Sequence, residues 1–477
     1  MDSDFSIHIH SISTVVPASL TRRCILPLTS LDFLNRNVAC MQRILFYSLD
    51  LDSLDNYDSF VDKLKGSLAE TLVRFYPLAG RFTDGESEKP RINCNDAGVP
   101  FIEAAMLRKS LGDFLASPHC MDLCSELAHV ESSELADAPH IAPVSVQVTR
   151  FKSGGLAVGV SYNHFLIDGY SFWHFMKSWS EVACGQSISL PPVHSREILI
   201  SQPPVTYMSS LPRYFAIPAT ASMEAPIGFS NIQQRMYSFS AQFIRRLKLQ
   251  AMAGSNGDIQ QVSSFRVLCA HIWRCLVRAR GLEESEETRF FVGVDVRKRL
   301  VPCLPDGYFG NAVCAVYAES RAGELLSPEK GTAHGVRILS QAIAGATDGN
   351  IKSLLEWCDK QGNAYFRGAD YALDNNFVVV SSPKFPAYGI NYGWGDPVAV
   401  RPGKLAWAGI ITFFTGARGS GDIDVCICLA PEELRRMEQE PGFLSMPWTQ
   451  ASSPGDPQTS QVCGFQGLAP PNVFLLG

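Results

Sequence analysis

His164 and Asp168 stand four residues apart in Asn163-His164-Phe165-Leu166-Ile167-Asp168-Gly169, and no other His in the chain is followed four residues later by an Asp. An imidazole titrates near neutral pH. It can take a proton from a hydroxyl or an amine and later return it to a leaving group. A neighbouring carboxylate could steady such a ring or the loop that carries it. The spacing also fits a His at a strand end bonded to backbone, beside an Asp that caps the next helix. No second His or Cys stands at ligand spacing nearby, so nothing here points to a metal.

The fourteen Cys are scattered and form no double Cys-x-x-Cys pattern, which argues against structural zinc. Cys269, His271 and Cys275 fall in a mostly apolar run and read as helix packing. Free thiols in this number suit a reducing compartment. The start, Met1-Asp2-Ser3-Asp4-Phe5, lacks the basic and apolar regions of a secretory signal. No stretch approaches the roughly 18 to 20 apolar residues of a membrane span. These features predict a cytoplasmic protein with no membrane partner. With 18% charged residues and a net charge of -6, the chain has no basic footprint for nucleic acid. Its 477 residues, 46% hydrophobic, can fill more than one domain.

Val144, Val146 and Val148 alternate with Ser145, Gln147 and Thr149, which predicts a half-buried strand. After a turn at 152–155, Leu156, Val158, Val160 and Tyr162 alternate again, so the two runs predict a hairpin ending at His164. Beyond Gly169, apolar residues recur at helical spacing through Trp179. His164 is thus expected at a strand-to-helix junction, on a rigid base. In the second half, 290–296 and 377–380 read as strands, and 263–279 as a helix capped by Ser263 or Ser264. A proline-rich stretch with little periodicity separates the halves. The expected organisation is an N-terminal half at 1–190, a crossover at 191–234, a C-terminal half at 235–450 and a flexible tail at 451–477. A cleft between two α/β halves is a common place for a site.

Several segments in order resemble the plant BAHD acyltransferase family. His164 to Gly169 fits its His-x-x-x-Asp-Gly signature. Asn391-Tyr392-Gly393-Trp394-Gly395-Asp396-Pro397 is similar to its second signature, usually Asp-Phe-Gly-Trp-Gly, a basic residue and Pro. Leu28 to Asp32, Tyr76 to Arg81, Cys94 to Val99, Val294 to Leu300 and Tyr308 to Asn311 fit further family stretches. The resemblance implies two chloramphenicol-acetyltransferase-like α/β domains with mixed sheets, joined by a long crossover. It implies transfer of acyl groups, other than aminoacyl groups, from acyl-CoA to a small alcohol or amine. Acyl-CoA would be a co-substrate rather than a permanently bound cofactor. His164 would be the general base in a channel between the halves. Asp168 would point away from substrate and brace the loop through Arg297, with Arg299 as second candidate. Ser263 and Ser264 match a region near the cofactor, and Lys384, Arg401 and Lys404 could add charge for its phosphates. A monomer is expected, because two halves complete one site.

The second signature departs from the family at Asn391, Tyr392 and Asp396. Its Gly393-Trp394-Gly395 core is read as a structural turn around a packed Trp394. The alternative to acyl transfer is a coenzyme A-independent reaction on the same scaffold, such as a lyase or an intramolecular acyl transfer. A binding protein without turnover and a condensation domain of a peptide synthetase are further readings.

Overall fold

Two mixed sheets divide the protein. The computed structural model describes residues 5–36, 40–49, 57–83, 90–130, 141–152, 154–199, 214–218, 231–255, 257–361, 364–368, 375–405, 407–417, 421–440, 442–443 and 446–447. The predicted tail and most of the predicted crossover lie outside the described residues.

The first sheet has six strands in the spatial order His8–Val15, Val99–Met106, Val144–Phe151, Leu156–Tyr162, Met41–Tyr47 and Ala399–Pro402. Only the Val99–Met106 and Val144–Phe151 pair is parallel. The predicted hairpin is present, with Val146 opposite Val160. The second sheet has seven strands: Val313–Arg321, Glu287–Asp295, Asn376–Val379, Ile410–Thr415, Ile423–Leu429, Gln233–Phe239 and Met446–Pro447. Two of its six pairings, on either side of Asn376–Val379, are parallel and the rest antiparallel, so it too is mixed. Helices Ala241–Ala253, Ser264–Arg280, Gly331–Ala344 and Pro431–Gln439 gather on this sheet. Tyr57–Arg74 and Gly169–Ala183 pack together beside the first.

One expectation needs correction, and two further features add to the expected organisation. The 144–151 strand is covered on both faces, not one. Its polar face docks on the carbonyls of the segment before residue 130. Ser145 and Ser161 both donate to the His129 carbonyl at 2.5 Å, and Gln147 donates to that of Glu126 at 2.9 Å. Hydrogen bonding removes the cost of burying these groups, so an alternating pattern need not face water. Gly159 makes the approach possible, since a Cβ there would come within 1.9 Å of the Leu127 oxygen. Second, Ala399–Pro402 lies in the predicted C-terminal half by sequence but pairs with Met41–Tyr47 of the first sheet. Third, the start of the predicted crossover is docked. Val193 bridges Tyr308, and Arg196 is buried.

Candidate active site

The hairpin strand Leu156–Tyr162 delivers His164 into a turn, and Asp168 starts the helix Gly169–Ala183. Asn163 shapes the turn by accepting from the Phe165 amide at 2.9 Å. Phe165, Leu166 and Ile167 are fully buried and anchor it in the core. Asp168 is the N-cap, accepting from the Ser171 amide at 2.9 Å. Strand, turn and cap thus set the loop from local chemistry alone.

Two buried ion pairs then clamp it. Arg297 meets Asp168 through both arms, at 2.9 and 3.1 Å, and Asp168 also accepts from the Ala312 amide at 2.8 Å. The same guanidinium donates to the Gly310 carbonyl and the Ser171 hydroxyl, and lies 4.3 Å over the Tyr170 ring. Burial alone would raise the Asp168 pKa. The charge and hydrogen bonds of Arg297, with two backbone amides, outweigh it and hold the carboxyl below its usual range. Arg299 is not the partner; it donates to the Ile343 and Ala346 carbonyls.

The second clamp was not foreseen. Arg196 pairs with Asp32 at 2.5 Å and donates to the Leu166 carbonyl at 3.0 Å. Asn311 donates to Asp32 at 2.8 Å and to the His164 carbonyl at 2.9 Å. Asp32 and Asn311 lie in segments that carried the family resemblance, which was the available signal. Arg196 sits in the stretch read as a linker and offered none.

His164 is part-buried as a residue, yet its ring lies deep enough for desolvation to dominate. Burial pushes its pKa below the ordinary value. Its own carbonyl, the Asp168 charge and the Asn311 side chain oppose this, and the Arg43 charge adds to it. Nδ1 is sealed without a hydrogen-bond partner, which leaves Nε2 to meet a nucleophile. A neutral ring with one free nitrogen is the form a general base requires. A shallow groove lined by Ala18, Glu70, Arg74, Val182 and Ile188, among others, does not include His164.

The second signature lies apart from this loop. The Asn391 side-chain oxygen accepts from the amides of Gly393 and Gly395 at 2.7 and 3.1 Å. Accepting is what a carboxylate would do there, so the amide substitutes for it. Both glycines have positive φ, near +100° and +107°. Trp394 packs against Phe60, Tyr47 and Tyr392. The Tyr392 hydroxyl is buried with no partner, and Asp396 is exposed.

The cofactor candidates scatter. Ser263 caps the helix Ser264–Arg280 by accepting from the Arg266 amide at 3.2 Å, so its oxygen is engaged. Ser264 opens that helix, part-buried. Lys384 and Lys404 are exposed. Arg401 is 1% exposed and inside the first sheet, which removes it as a surface contact for phosphates. Cys269, His271 and Cys275 are buried, and the His271 ring packs on Phe239 and Phe243. Among the described residues, no three His, Cys, Asp or Glu side chains gather as a metal site would need.

Two mixed-sheet α/β domains meeting at a His–Asp loop define a chloramphenicol-acetyltransferase-like architecture. The Transferase family model matches residues 5–444, and the chain belongs to that family, the BAHD acyltransferases. Hydroxycinnamoyltransferase 1 of Oryza sativa subsp. japonica is 30% identical over 79% of this chain and 86% of that protein. A hydroxycinnamoyl-CoA:5-hydroxyanthranilate N-hydroxycinnamoyltransferase of Avena sativa is 30% identical over 79% of this chain and 85% of its own. The crystal structure of vinorine synthase covers 90% of this chain and 96% of its own with a TM-score of 0.71. At 21% identity that likeness concerns the fold.

Removing one partner of a buried ion pair costs about 3–5 kcal/mol. Asp168→Ala should lose stability on that scale in denaturant unfolding, as well as turnover; an inactive variant of undiminished stability removes the clamp from the account. Tyr392→Phe deletes an unpartnered buried hydroxyl and should be neutral or stabilising by up to about 1 kcal/mol in the same assay. A clear loss would mean that the hydroxyl has a partner.

Proposed function

We propose that this protein transfers a hydroxycinnamoyl group from coenzyme A to the hydroxyl or amine of a small acceptor, with His164 as general base. The observation that carries the reading is the His164 ring itself: one nitrogen sealed, the other free, on a loop clamped at both ends. The acceptor's oxygen or nitrogen attacks the thioester carbonyl as Nε2 takes its proton. The tetrahedral adduct collapses, the carbon–sulfur bond breaks, and the imidazolium returns the proton to the departing thiolate. Ester or amide and free coenzyme A are the products. No covalent acyl-enzyme is required.

Asp168 stays ionised and does not carry the proton, because both its oxygens are taken up by Arg297 and backbone amides. It and Arg297 are positioning residues. Asn391 to Gly395 shape a packed turn away from the chemistry. Ser264, with Lys384 and Lys404, remains the proposed ground for the cofactor's phosphates, supported by a helix start and exposed cations. The protein would act as a monomer in the cytoplasm. Thirteen described cysteines are all free thiols, which suits a reducing compartment. Acyl transfer is favoured over the coenzyme A-independent alternative by relatives whose names specify hydroxycinnamoyl transfer.

General base catalysis contributes about 10²- to 10⁴-fold, so His164→Ala should lose kcat/KM by that factor with an unchanged melting temperature. A folded variant with near-native turnover ends the assignment. The pH profile follows from the lowered His164 pKa. The base must be neutral, so rate is lost as pH falls through that pKa. The acid limb of kcat/KM should therefore have its midpoint below the ordinary 6.5. A midpoint at or above that value contradicts the burial argument.

A further inference from the structure

Arg43 is the unusual cation of this site. It lies on the strand Met41–Tyr47, directly opposite Val160. Side chains alternate along a strand, so Arg43 shares a face with Leu45 and Tyr47, which belong to the main core. Ile44 and Phe46 point the other way, into a separate apolar cluster. Only 4% of Arg43 is exposed. Its guanidinium reaches across to the second sheet, 6.0 Å from the Phe414 ring centroid.

Arg196 and Arg297 are equally buried, and each holds a buried carboxylate. Arg43 holds none among the described residues. Its one hydrogen bond runs from Nη1 to the Gln42 carbonyl, at 2.8 Å. Its remaining donors have no partner, yet they are not among the sealed orphan atoms that include Nε of Arg36, Arg150 and Arg297. The Tyr162 hydroxyl and His164 Nε2 are in the same condition. Tyr162 and His164 are ring neighbours at 6.3 Å, and the Arg43 charge is felt at both. Met41 pairs with Tyr162 and Arg43 with Val160, so Arg43 and Tyr162 stand on one face of adjacent strands, two positions apart in register, beside the candidate base.

An uncompensated buried charge is costly, and a guanidinium fork matches a carboxylate in shape. We propose that Arg43 binds a carboxylate of the acceptor, with Tyr162 as a second donor, so that the substrate class is hydroxy or amino acids rather than neutral alcohols. This rests on the acyl-transfer reading and sharpens it. The named Avena sativa relative uses such an acceptor, 5-hydroxyanthranilate. A resident anion suits the site better than the passing oxyanion of the adduct, because the charge needs a counter-ion whenever substrate is bound.

The test compares 5-hydroxyanthranilate, shikimate and ω-hydroxypalmitate with their methyl esters, using p-coumaroyl-CoA as donor. Thiol release gives kcat and KM, and calorimetry gives binding without turnover. For at least one acid, the wild-type protein should favour acid over ester by about tenfold to a hundredfold in kcat/KM. Arg43→Gln should collapse that ratio through KM, and Arg43→Lys should restore part of it. The wild-type comparison stands even if the variants fold poorly. No acid advantage in binding or turnover overturns the proposal, and so does an equal loss for acid and ester in Arg43→Gln. Transfer to esters without acid preference removes Arg43 and leaves acyl transfer standing. Acid-selective binding without thiol release does the reverse.

Discussion

The paired charges of Asp168 and Arg297 are the constraint on which the rest of the site depends. Taking two charges out of water costs several kcal/mol each, and their attraction offsets this only with good geometry and further hydrogen bonds. Both conditions are met. The pair is bidentate, and the carboxylate accepts two backbone amides as well. Such a pair adds little net stability over an apolar equivalent but tolerates few alternatives. Here it makes one arrangement of the first half's helix start and the second half's 308–312 segment far better than its neighbours.

His164 gains its character from this frame. The neighbouring carboxylates, Asp168 and Asp32, are already paired with arginines, so the ring is not drawn into an ion pair of its own. Burial lowers its pKa, while Asn311 holds its backbone carbonyl and its side chain pulls the pKa partly back. Asp32 and Arg196 repeat the device on the other side of the loop. Gly310 joins the two clamps. A Cβ there would press within 3.1 Å of both the Arg196 guanidinium and the Tyr308 hydroxyl, so a side chain at 310 would have to displace them by a few tenths of an ångström. Arg43 differs from both clamp arginines in holding no carboxylate among the described residues.

The Asn391–Gly395 turn shows a motif whose work is packing. Its amide oxygen closes the turn, its two glycines supply the backbone angles, and Trp394 fills an aromatic cluster with Tyr47 and Phe60. An Asn in place of an Asp is tolerable because only acceptance is asked of it. Asp396 projects to solvent, where a change of charge disturbs little inside.

Much of the local structure could be read directly from residue order. The 144–162 hairpin, the helix after Gly169 and the Ser263 cap follow from period, turn chemistry and side-chain oxygen placement, all of which act within a few residues. The imidazole's place at a strand-to-helix junction follows as well. Residue order was silent where partners are remote. Nothing near Arg196 announces Asp32, 164 positions away. Nothing in Ser145 or Gln147 tells that carbonyls, not water, will receive them. Ala399–Pro402 gives no sign that its pairing strand lies in the other half. Only tertiary structure decided which charges meet, which strand faces are covered and that Arg43 holds no carboxylate among the described residues. The physical reason is range: periodicity and caps are set by neighbours in the chain, whereas ion pairing and burial depend on how two sheets settle against each other.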